Sequence, residues 1–143
     1  MSHGIRILFV AVTSLYAANL LYPQSNETKQ KFSVDLLRTF TTVYVQSKTP
    51  LAKPQMLAGE LQKNENFDSW GLSITNNPGA DVTIEMDHQP GWFYYTYTMT
   101  HPSSGIVLAV GRVDAWDGKY ASSKIAKEIM KRVARVRNPP KKH

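Results

Sequence analysis

Four histidines, eleven carboxylates and no cysteine are the groups in this 143-residue chain that could hold a metal or move a proton. His3 and His143 lie at the two ends, so a two-histidine metal site would rest on His88 and His101. Such a site needs both imidazoles and a carboxylate in one coordination sphere. His88 ends one strand-like segment and His101 follows the next. As antiparallel neighbours those segments would hold the two rings about 25 Å apart at 3.3 Å per residue. No metal or other cofactor is therefore expected. Glu85 and Asp87 alternate along one strand, and Asp114 and Asp117 sit near the end of another. Glycoside hydrolysis requires two carboxylates flanking a cleft, one of them desolvated. Carboxylates alternating along a solvated sheet face do not meet that need. A G-x-S-x-G nucleophile elbow is absent, and Asp117-Gly118-Lys119 lacks the spacing of a phosphate loop. Without cysteine there is no thiolate nucleophile, zinc–thiolate site or disulfide. These residues point to a non-enzymatic protein. A small hydrolase using the carboxylates near the hairpin is the weaker alternative.

Charge and aromaticity point to binding instead. The formal charge is +6, and residues 119–143 carry nine of the seventeen basic side chains against one acid, Glu128. On a helical wheel Ile125, Ala126, Ile129, Met130, Val133 and Val136 share one face. Lys124, Lys127, Lys131, Arg132 and Arg135 occupy the other. This basic stripe serves either as the solvated side of a sheet-covering helix or as a surface for an anionic partner. Such a partner would be an envelope polymer or a lipid headgroup, with peripheral membrane contact, and nucleic acid is disfavoured by the N-terminal segment described below. A second candidate surface joins Trp92 and Tyr94 to Arg112 and Asp114 on the opposite strand, aromatic side chains with arginine being frequent interface anchors.

The elements that must position these residues follow from periodicity. Leu37–Val45, rich in β-branched and aromatic residues, reads as a strand. Pro54 starts a short helix that ends near Asn64. Ser69–Thr75 and Val82–Asp87 alternate apolar and polar residues and read as strands. Trp92–Thr100 and Ile106–Trp116 form a hairpin around the loop His101–Gly105. That loop length pairs Thr100 with Ile106, hence Tyr95 with Gly111 and Tyr94 with Arg112. It places Phe93, Tyr95, Tyr97 and Met99 in the core, with Val107 and Val113 across from them. A helix over 120–137 closes the chain, stopped by Pro139-Pro140. The expected order is β-α-β-β-β-β-α, an α+β two-layer sandwich with a mostly antiparallel sheet and two helices.

Ahead of this domain, assigned to residues 35–137, Arg6 precedes an uncharged apolar run from Ile7 to Tyr22. A charged start, an apolar stretch and small residues at Ala17-Ala18 read as a secretory signal over residues 1–18, with an uncleaved anchor as the alternative. Residues 19–34 read as a flexible linker and 138–143 as a disordered basic tail. The segments ADVTIEMD, FYYTYTMTHPSSGIVLAVGRV and SSKIAKEIMKRV, with the turn Ser104-Gly105-Ile106-Val107-Leu108, resemble bacterial envelope α+β modules of the curli-secretion lipoprotein and penicillin-binding-protein-activator type. The resemblance spans roughly residues 37–133, and an uncharacterised secreted family of similar layout fits the same pattern. It implies a secreted or periplasmic accessory module that binds another envelope protein and has no catalytic residues.

Overall fold

The computed structural model describes residues 26–138. The expected signal segment and the tail beyond Asn138 lie outside the described residues. The elements run α1 (Asn26–Thr39), β1 (Thr42–Ser47), α2 (Pro54–Gln62), α3 (Glu65–Ser69), β2 (Ser73–Thr75), β3 (Val82–His88), β4 (Tyr94–His101), β5 (Ile106–Asp114) and α4 (Gly118–Arg137). The α+β class and the expected element order hold, with two helices added.

The first addition corrects the expected linker, because residues 26–34 form most of α1. Glu, Lys and Gln are good helix formers, and the helix is fixed from its far end, where Leu37 is buried and Leu36 packs on the core. The strand expected from Leu37 therefore begins at Thr42. The Arg137 guanidinium enforces that ending. It donates to the carbonyls of Leu37 (3.2 Å), Trp70 (3.0 Å) and Phe40, and stacks 4.7 Å over the Phe40 ring. These contacts satisfy carbonyls that a helix end leaves without partners.

The second addition is α3. Asn64 caps it by accepting from the Asn66 N–H at 3.1 Å. Gly71, at φ 67°, then turns the chain into β2, in a conformation that glycine adopts without steric cost. The strand expected from Ser69 is thereby shortened to three residues.

The sheet order is β2-β1-β3-β4-β5. β1 pairs in parallel with β2 and β3, while β3–β4 and β4–β5 are antiparallel, so the sheet is mixed. Val43, Val45, Val82, Ile84, Met86, Tyr95, Tyr97 and Met99 line one face and are buried. Leu57 and Leu61 of α2, with Ile125, Ile129 and Val133 of α4, cover them. The other face carries Tyr44, Gln46, Glu85, Thr96, Thr98 and Arg112 and is open. Asp81 fastens its start. One carboxylate oxygen accepts from the Thr41 and Thr42 N–H groups at 2.8 and 3.0 Å and from the Thr41 hydroxyl at 3.0 Å. This holds the Asp81 carboxyl down at about 2, against an ordinary 3.8.

The hairpin register differs from expectation by two residues. His101 pairs with Ile106, and a bulge follows between Met99 and Thr100, so Tyr95 opposes Val113, Tyr97 opposes Gly111 and Met99 opposes Ala109. An even shift keeps each side chain on its face, which is why Tyr95, Tyr97 and Met99 are buried as expected. The bulge adds a residue to β5. It turns Leu108 inward and leaves Val107, an expected core residue, exposed. Phe93, also expected inside, precedes β4 and is exposed.

Candidate functional site

One end of the sheet gathers large rings. The Gln89–Phe93 turn, with Gly91 at φ 84°, presents Trp92 and Phe93, which are 59% and 78% exposed. Beside them the chain leaves β5 at Trp116, 74% exposed, and enters α4. Asp117 caps that helix through the Tyr120 N–H at 2.7 Å, satisfying an N-terminal donor. The cap brings Tyr120 under Trp116, with ring centroids 4.6 Å apart and planes within 10°. Leu51 completes the rim. Gly118 is buried against that loop so closely that a Cβ would lie 1.9 Å from the Leu51 carbonyl oxygen. Between these walls lies a cleft of about 380 Å3.

The floor of the cleft is polar and fixed. The Tyr95 ring is buried and packs 4.6 Å from the His88 ring. Burial and the Asp117 carboxylate raise the Tyr95 pKa, so its hydroxyl keeps its proton. His88 Nε2 lies 2.8 Å from the Trp92 carbonyl. A carbonyl only accepts, so Nε2 carries hydrogen and the Trp92 turn is tied to the strand. Exposed rings over a small polar floor suit apolar or stacking contacts with a partner.

The four residues singled out from sequence come together on the outer side of this end. The Trp92 and Tyr94 centroids are 6.1 Å apart, and the Arg112 guanidinium lies 4.7 Å over the Tyr94 ring. That contact is diagonal, because Tyr94 opposes Asp114 and Thr96 opposes Arg112. Arg112 also meets Asp114 at 3.8 Å, and Tyr94 donates to Gln89 at 2.5 Å. Phe93, Trp116 and Tyr120 were not anticipated as surface residues. Phe93 was hidden by carrying strand alternation one residue too far, and Tyr120 becomes visible once Asp117 is read as a helix cap.

The basic stripe of α4 stands where the wheel put it. Lys127, Lys131, Arg132 and Arg135 are exposed, while Ile125, Ala126, Ile129, Met130 and Val133 are buried. Lys124 folds back, donating to the Asp114 carbonyl at 2.8 Å and lying 4.5 Å from the Tyr120 ring. A groove of about 450 Å3 is lined by Lys124, Lys127, Glu128 and Lys131 of α4 and by Arg112 and Asp114 of β5. At its floor the Tyr97 hydroxyl donates to Glu128 at 3.2 Å. Burial and the Glu128 charge push the Tyr97 pKa up to about 12.

His88 and His101 lie at opposite ends of β4, with His88 paired to Tyr95 and His101 on Ser104 at 2.8 Å. Glu85 is engaged by Lys48 and Gln46 at 2.5 and 2.7 Å. Among the described residues no helix is long and apolar enough to cross a membrane. No protein-family model, curated protein or solved structure matches this chain.

Proposed function

We propose that this chain is a secreted or periplasmic, non-enzymatic binding module of the bacterial cell envelope that holds its partner at the aromatic end of the sheet. The observation behind this reading is the exposure of Trp92, Phe93 and Trp116 around one cleft. Large aromatic rings are usually mostly buried, and leaving three in water is unfavourable unless a partner covers them. The apolar run behind Arg6 supports export, and the likeness to envelope modules supports the accessory role.

Binding of the purified chain to isolated envelope fractions tests the reading. The Trp92→Ala, Phe93→Ala, Trp116→Ala triple variant should fold normally and lose most of that binding. Equal binding by the variant would overturn it. A second reading, attraction of an anionic envelope polymer or membrane surface to the basic face of α4, is favoured by the exposure of Lys127, Lys131, Arg132 and Arg135. It predicts loss of binding on charge removal and none on ring removal.

A further inference from the structure

Among the described residues β5 is the last strand of the sheet, and one of its edges has no partner strand. Which of its backbone groups face outward follows from the ladder. Ala115 donates its N–H to the Phe93 carbonyl at 2.9 Å, so residues 93 and 115 are a hydrogen-bonded pair. Such pairs alternate along an antiparallel ladder. With the register observed, Tyr95–Val113, Tyr97–Gly111 and Met99–Ala109 are the bonded pairs. Val110, Arg112 and Asp114 therefore turn their N–H and C=O groups away from β4. Lys124 reaches the Asp114 carbonyl from that side. The groups of Arg112 lie beside the groove, whose lining adds Lys124, Lys127 and Lys131 to the acidic residues Asp114 and Glu128. Val110 is also 58% exposed.

We propose that this edge receives an acidic, extended peptide segment of a partner protein as a sixth strand. The stretch short of the Asp114 carbonyl that Lys124 occupies, residues 109–113, is about 17 Å at 3.3 Å per residue, enough for a five-residue strand. Main-chain pairing to Val110 and Arg112 sets the register, as in other strand-addition complexes. Alternate carboxylates of the peptide, all on the face turned toward α4, then reach Lys127 and Lys131. Charge selects the occupant. A second copy pairing through the same edge would set two rows of lysine and arginine against each other within a screening length of about 8 Å. Basic side chains beside a bare edge are a known guard against self-pairing. The same guard attracts an acidic strand. This surface uses none of the aromatic rings of the proposed envelope site, so the two readings stand or fall separately.

The test uses the full chain and a fluorescein-labelled nine-residue peptide alternating glutamate with threonine. At low salt it should bind saturably, and a lysine-for-glutamate peptide should not. N-methylation of alternate amides, which keeps every charge but removes the pairing donors, should weaken binding about tenfold. Val110→Pro removes an outward N–H without touching the ladder to β4 and should cost the same factor. Lys127→Gln with Lys131→Gln should weaken binding and flatten its salt dependence. If Val110→Pro fails to fold, the methylated peptide on the unaltered chain decides. No binding of the acidic peptide at low salt overturns the proposal. Equal binding of the methylated peptide also overturns it, as does full competition by inorganic polyphosphate with no effect of methylation. Either result would mean a face that holds any polyanion.

Discussion

Gly111 shows how one missing side chain shapes a site. The Tyr97 ring crosses beneath β5 to reach Glu128, and a Cβ at position 111 would lie 2.3 Å from a Tyr97 ring carbon. Gly111→Ala should thus overpack the strand and cost about 1–3 kcal/mol, read as a shift in the denaturation midpoint. A Tyr97→Leu background should remove most of that cost. An unchanged midpoint for the single variant would contradict the observed register. Asp81 makes a second prediction at this scale. Its folded-state pKa lies below the ordinary value, so its contribution is fully present above pH of about 4 and is lost as pH falls towards 2. Asp81→Asn should cost about 1–3 kcal/mol at neutral pH, and the penalty should shrink on acidification. A penalty independent of pH would show that the carboxylate charge is not what fastens β1 to β3.

The elements divide into those whose patterns carry their own information and those set by distant partners. The α4 wheel separated buried from exposed residues, Lys124 and Val136 excepted as half-buried, because its apolar stripe is continuous. Ile129→Ala should then destabilise the fold by about 2–5 kcal/mol. Replacing Lys127, Lys131, Arg132 and Arg135 with Gln should leave thermal stability nearly unchanged, since exposed charges contribute little. Unfolding of that variant would mean the basic side is packed. β3 and the core residues of β4 were legible for the same reason, since strict alternation survives an even register shift. α1 was not legible. Its polar first turns bury nothing, and the contact that ends it comes from Arg137, about one hundred positions away. The hairpin register was also beyond alternation alone, because a bulge leaves no mark in composition.

For the whole molecule, net charge and exposed rings separate onto two surfaces. One is the aromatic end formed where the Gln89–Phe93 turn meets the β5–α4 junction. The other is the basic groove between the β5 edge and α4. The sequence pointed to Trp92, Tyr94, Arg112 and Asp114, which do meet, but half of the aromatic cleft depends on how the chain turns into α4. Trp92 and Trp116 line the cleft, while Trp70 is half-buried against the core elsewhere. In a Trp70→Phe variant the two cleft tryptophans alone report. Iodide quenching of that variant, free and bound to an envelope fraction, is the most direct test of the proposed site. The account predicts strong quenching in the free protein and marked protection when bound. Binding that leaves both tryptophans fully quenchable would contradict it.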